Sequence, residues 1–146
     1  MAISAEILNS YKKIDEAKAD ALLTAEIEKN NKKIVVLDDD PTGVQTVHDI
    51  SVYTGWDHDS ILSGFNEKNN LFYIMTNSRG FTAEQTTKAH HEISAMVDQV
   101  ARETGREYIF ISRSDSTLRG HYPLETEILA EEYAKNTGSI IDGEIM

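Results

Sequence analysis

The 146-residue chain has no cysteine, only two prolines and a single tryptophan. Without cysteine there is no disulfide framework, no thiolate metal centre and no cysteine nucleophile. Long apolar runs are missing too: IVVL at 34–37 is far shorter than the roughly 20 residues a membrane span takes. The N-terminal MAISAEILNSYKK places charges where a secretory signal carries an apolar core, so a cytoplasmic location is expected. Basic side chains are scarce, 14 against 25 acidic, and the net charge of −11 repels a phosphate backbone. Neither nucleic acid nor a membrane is expected as a partner.

What remains is ordinary globular composition, 40% apolar and 27% charged, at a length that suits one domain core. Residues 4–29 read as one helix, because Ile7, Tyr11, Ile14, Leu22 and Ala25 recur at roughly helical spacing before Asn30 and Asn31. IVVLD (34–38), ISVYT (50–54), LFYIMT (71–76) and YIFIS (108–112) are short, continuous apolar runs of the kind that form buried strands. A short helix is expected over 59–65. The surest one spans 82–104, where Thr82 and Gln85 have capping-box spacing, Ala89, Ile93, Val97 and Val100 form a stripe, and Gly105 follows. Pro123 opens a further helix to about Asn136 with Leu124, Ile128 and Leu129 inward, and SII at 139–141 reads as the start of another strand.

Strands alternating with helices predict an α/β fold: a mostly parallel sheet flanked by helices in a Rossmann-like, three-layer arrangement. Only residues 39–49 separate the first two strands, fewer than a parallel crossover normally takes, which leaves that pairing open to an antiparallel arrangement. The chain divides into an N-terminal helical segment, 1–32, and a domain, 33–146. No closing helix follows SIIDGEIM, so that domain reads as incomplete.

Ligands of open α/β sheets sit beyond the carboxyl ends of the strands. DDDPTGVQT, TNSRG and SRSDSTLRGH all follow strands and carry the densest polar chemistry in the chain. Asp38, Asp39 and Asp40 call for a cation or a donor, in a magnesium or general-base role, or else cap a turn. Pro41, Thr42 and Gly43 form a tight turn whose amides suit an anion. Arg113, Asp115, Arg119 and His121 lie among Ser112, Ser114, Ser116 and Thr117, a set suited to a hydroxylated ligand bearing a carboxylate; Asn77, Ser78 and Arg79 form a smaller set. His90 and His91, adjacent on the long helix and pointing about 100° apart, read as a solvated edge. His48 and His58 carry no assigned role, and Trp56 reads as a packing residue. No P-loop and no GxGxxG is present, so ATP or NAD would need another part of the protein.

Asp38, Asp40 and Thr42 satisfy D-x-D-x-T and resemble the first motif of haloacid-dehalogenase-like phosphohydrolases. That resemblance implies a nucleophilic Asp38, an acid/base Asp40 and magnesium, with Thr76 in the position of that family's hydroxyl. The required lysine is not matched, Lys88 and Lys135 both lying in helices. The ordered set VVLDDDPTGVQTVHDISVYT, MTNSRG and SRSDSTLRGHYPLETE resembles more closely the N-terminal, sugar-binding domain of the four-carbon acid sugar kinases, from about Lys33 onward. This second resemblance implies an ATP- and Mg²⁺-dependent kinase acting on threonate, erythronate or an oxo-tetronate. In such a kinase a C-terminal nucleotide-binding domain, lying beyond this chain, holds most of the nucleotide site. Carried over, the first motif is Asp39, Asp40, Thr42 and Gly43; the second Asn77, Ser78 and Arg79; the third Ser114, Asp115, Ser116, Thr117, Arg119 and His121. Arg79 and Arg119 would take the substrate carboxylate, Asp115 its hydroxyls, and Asp39 or Asp40 the attacking hydroxyl, with Thr42 and Gly43 on the phosphate side. The partners implied are the sugar acid, the nucleotide domain and, optionally, a second copy. A small-molecule binding module without chemistry is the remaining alternative.

Overall fold

The structure is a computed structural model and describes residues 4–45, 47–115 and 119–143. It divides into two units, residues 1–31 and 32–146. In the first, a 3-10 turn over Ala5–Ser10 precedes helix α1, Glu16–Lys29. The single helix expected over 4–29 is thus interrupted, and local hydrogen bonds account for it. Asp15 adopts an extended backbone and accepts from Lys18 N at 3.1 Å, an N-cap that starts α1, while Ser10 Oγ donates to Ile7 O at 2.6 Å.

The second unit has the α/β architecture expected. Strands β1 (Lys33–Asp38), β2 (Val52–Tyr53), β3 (Leu71–Met75) and β4 (Tyr108–Arg113) form one sheet in the order β2-β3-β1-β4, with every pairing parallel. Helices α2 (His58–Asn66), α3 (Ala83–Thr104) and α4 (Leu124–Thr137) flank it. The antiparallel option for the first two strands does not occur. β2 lies beyond β3, two positions from β1, and pairs only at Tyr73 and Ile74, level with Val36 and Leu37, so the chain leaving β1 crosses the sheet but runs back only a short way along the strand axis. SII at 139–141 forms no strand: Ile140 is 84% exposed.

Alternation places Val35, Leu37, Phe72, Ile74 and Tyr108 on one sheet face, where they meet Ile61 and Phe65 of α2, Ile93, Val97 and Val100 of α3, and Leu129 of α4. Trp56 packs against this core, as expected. α3 begins with the Thr82–Gln85 capping box and closes on Gly105 in the left-handed conformation. At the amino end of β1, Lys33 is fully buried, and its ammonium satisfies the carbonyls of Glu67 and Asn69 beyond the end of α2. Among the described residues no helix is long and apolar enough to cross a membrane.

Candidate functional site

β1 lies between β3 and β4, and the three strands end in register, Asp38 opposite both Met75 and Arg113. The loops that leave them therefore start on one rim. Asp39 joins all three. Its N–H donates to Arg113 O at 3.2 Å and its carbonyl accepts from Arg79 N at 3.3 Å. Its carboxylate, only 2% exposed, accepts from Arg79 Nη2 at 2.9 Å, Arg79 Nε at 3.2 Å and the Asp115 N–H at 3.1 Å. Arg79 Nη1 meets the neighbouring Asp40 carboxylate, so one guanidinium clamps two acids in a fork.

Asp40 accepts from the Thr42 N–H at 2.7 Å and from the Thr42 hydroxyl, and these bonds hold its carboxyl below the usual carboxylate range. Gly43 N donates to Asp40 O at 3.0 Å. The tight turn read from the sequence is present, but these hydrogen bonds direct the Thr42 and Gly43 amides to Asp40 and not to an outside anion. Asp38 lies under this turn, 1% exposed; a Cβ added at Gly43 would fall 1.8 Å from its Oδ2, so only glycine fits there. Burial pushes the Asp38 carboxyl upward despite Arg113 at 3.7 Å. A nucleophile in that position has no access to a substrate, which removes the geometric basis of the phosphohydrolase reading. Thr76 braces the strand end instead, its N–H donating to Asp38 O at 2.8 Å.

The structure brings Asp39, Asp40, Thr42, Gly43, Arg79 and Asp115 together, with Arg119 Nε 3.6 Å from Asp115 Oδ2. Gly120 packs directly on the Asp115 backbone, where a Cβ would lie 1.9 Å from its carbonyl oxygen. Ser114 is half-buried next to Asp115. Asn77 is exposed, with a left-handed backbone (φ 53°) that turns the chain into the Arg79 segment. Ser116 and Thr117 lie outside the described residues.

Ser78 departs from expectation: it is fully buried and points inward, 2.9 Å from Thr76 Oγ1 and 3.3 Å from Glu125 Oε1. His121 also turns inward, with Nε2 buried and without a hydrogen-bond partner. Of the adjacent histidines read as a solvated edge, only His91 is exposed. His90 is 1% exposed, because it shares the buried stripe of Thr86, Ile93, Val97 and Val100. Glu125, buried beside it, lies within the string SRSDSTLRGHYPLETE and in the first turn of α4, but was not among the expected site residues.

Three arginines therefore differ in what they offer. Arg79 is 17% exposed and directs Nε, Nη1 and Nη2 at Asp39 and Asp40. Arg113 and Arg119 are 46% and 67% exposed, and each approaches a carboxylate only at 3.7 and 3.6 Å. Among the described residues neither guanidinium donates a hydrogen bond, which leaves both able to meet an incoming carboxylate. An apolar groove of about 780 Å³ lies along β4 and α4 between Phe110, Leu129, Ala130 and Tyr133; it reaches Ser112 but none of Asp39, Asp40, Arg79, Arg113, Asp115 or Arg119.

No curated protein and no solved structure matches the chain. A family model described as a sugar-binding N-terminal domain matches residues 34–141, a span that contains all three rim loops. The chain belongs to this family of sugar-binding N-terminal domains.

Proposed function

We propose that this domain holds a four-carbon sugar acid, of the threonate, erythronate or oxo-tetronate type, for phosphorylation by an ATP-dependent kinase located in the cytoplasm. The observation that carries the reading is the junction at Asp39, which joins a carboxylate-rich loop, an arginine turn and a serine-aspartate-arginine loop at one rim. The motif resemblance and the family's sugar-binding description support the same ligand class.

In this reading Arg113 and Arg119 take the ligand carboxylate, and Asp115 with Ser114 exchanges hydrogen bonds with its hydroxyls. Arg79 acts as scaffold. Asp39, buried and accepting three hydrogen bonds, fixes the loops, so the terminal hydroxyl falls to Asp40. That group is ionised, and among the described residues its Oδ2 accepts only from Arg79. Phosphoryl transfer asks little of a base, and orientation of the hydroxyl by hydrogen bonding suffices.

The carboxylates do not fit a magnesium ion as arranged. Arg79 bridges Asp39 and Asp40, Asp38 lies beneath Gly43, and among the described residues no three His, Asp or Glu side chains are placed to hold a metal. ATP and Mg²⁺ belong in this proposal to a separate nucleotide-binding domain. Calorimetry of the chain with threonate, erythronate and an oxo-tetronate, against neutral threitol, tests the reading. Saturable binding of an acid that weakens on Arg119→Met is expected; no binding of any acid, or equal binding of threitol, overturns it. Tetronate-dependent ADP release by a polypeptide joining this domain to a nucleotide-binding domain tests the kinase step. Binding without turnover there would instead favour a module that has no chemistry of its own.

A further inference from the structure

A line of buried polar groups runs from the end of β1 to α4. Thr76 Oγ1 lies 3.0 Å from Asp38 O and 2.9 Å from Ser78 Oγ, which in turn lies 3.3 Å from Glu125 Oε1. Each hydroxyl has one proton to give, and a carboxylate only accepts. Ser78 therefore gives its proton to Glu125 Oε1, and Thr76 Oγ1 gives its own to Asp38 O or to Ser78 Oγ, while Asp38 O also accepts the Thr76 N–H at 2.8 Å. Glu125 is 1% exposed, and its Oε2 is buried without a partner.

His90 adds no donor. Its Nδ1 is 2.8 Å from the Thr86 carbonyl, which can only accept, so Nδ1 carries the hydrogen. Burial keeps the ring neutral by pushing its pKa down, and Nε2, 3.9 Å from Glu125 Oε1, then presents a lone pair. Ser78 is thus the one hydrogen-bond donor to the Glu125 carboxylate among the described residues. A buried carboxylate with one neutral donor is a poor contributor to stability, and an apolar group of similar size in its place is often neutral or stabilising. Its consequence is local. Ser78 sits between Asn77, held at φ 53°, and Arg79, whose fork fixes Asp39 and Asp40.

We propose that Glu125 is a positioning residue for the Arg79 turn: by drawing Ser78 inward from α4 it sets the register in which Arg79 clamps the two rim aspartates. The role assigned to the rim rests on the sugar-acid reading; the hold on the turn does not. Amide hydrogen exchange on the unliganded chain, thermal melting and threonate calorimetry test it with Glu125→Leu, Glu125→Gln and Ser78→Ala.

Glu125→Leu is expected to raise exchange at residues 77–81 by about tenfold or more relative to α3, without lowering the melting temperature. It should also weaken threonate binding by roughly tenfold. Glu125→Gln, which keeps an acceptor for Ser78, restores slow exchange and binding. Ser78→Ala reproduces the faster exchange with Glu125 intact, and it decides the matter if the leucine variant does not fold. A melting temperature that falls with exchange rising equally through α3 and α4, or a Ser78→Ala chain with 77–81 unchanged, would overturn the proposal. Exchange needs no ligand, so absence of threonate binding to the unaltered chain would count against the sugar-acid reading and not against the hold on Arg79.

Discussion

Gly43→Ala examines the contact on which the first rim loop rests. The added Cβ would lie 1.8 Å from Asp38 Oδ2, 2.2 Å from Oδ1 and 2.3 Å from Cγ, so the turn or the carboxylate must move by about 1.5 Å to reach ordinary contact. Asp38 has little room: it is 1% exposed, and its Oδ1 accepts from Asp40 N at 3.3 Å. Overpacking of this kind costs roughly 1–3 kcal/mol, and the confinement of Asp38 argues for the upper half, about 2–3 kcal/mol. For a unit of this size that is a fall of roughly 8–15 °C in melting temperature. Gly80→Ala is the control, because a Cβ there meets nothing within 4 Å, and its melting temperature should stay within about 2 °C of the parent. Asp38→Ala removes the obstacle, so the double variant Asp38→Ala/Gly43→Ala should be no less stable than Asp38→Ala alone, a coupling of about 2 kcal/mol in urea and thermal melts. A Gly43→Ala chain as stable as Gly80→Ala, or two additive losses, would refute the placement of Asp38 beneath the turn.

Arg79→Met leaves Asp39 buried without its counter-charge and should lower the melting temperature by roughly 10 °C, whereas Arg119→Met, at an exposed position, should leave it unchanged while weakening sugar-acid binding. Similar losses of stability for the two would contradict the division into scaffold and ligand arginines. Absorbance titration should show Tyr53 and Tyr108 ionising late: burial pushes both up to about 12, the Tyr53 phenol being further held by its hydrogen bond to Glu67. Because the folded values lie above the unfolded value near 10, the unfolded chain releases these protons first, and stability should fall as pH rises from 10 to 12. A single wave near pH 10 with circular dichroism still native would contradict the burial of both rings.

Much of the fold was legible because its signals are local. The capping box at Thr82 and Gln85, the stripe of α3, Gly105 and the apolar runs of β1, β3 and β4 each depend on a few neighbouring residues. The partner of β2 was not legible, since two paired residues carry no information about which strand they meet. Helical spacing from Ile7 to Ala25 passed over Asp15, whose cap decides where α1 starts. His90 shares the stripe of Thr86, Ile93, Val97 and Val100, but the 100° between adjacent residues says only that the two histidines diverge, not which one is buried. For the site, strand ends predicted the gathering of the loops, and Asp39 with Arg79 and Asp115 forms that junction. The partners within it were not predictable: composition cannot distinguish an arginine that meets a ligand from one that meets the chain's own Asp39 and Asp40, or a serine that faces solvent from one drawn inward by Glu125.

The most direct test of the site is a threonate titration followed residue by residue in ¹⁵N NMR spectra of the chain. Signals of Asp40, Arg79, Asp115 and Arg119 should shift together along one binding curve, with the Arg113 and Arg119 side chains moving most. Shifts confined to the apolar groove beside Phe110 and Tyr133, or no shift at any of the three loops, would contradict it.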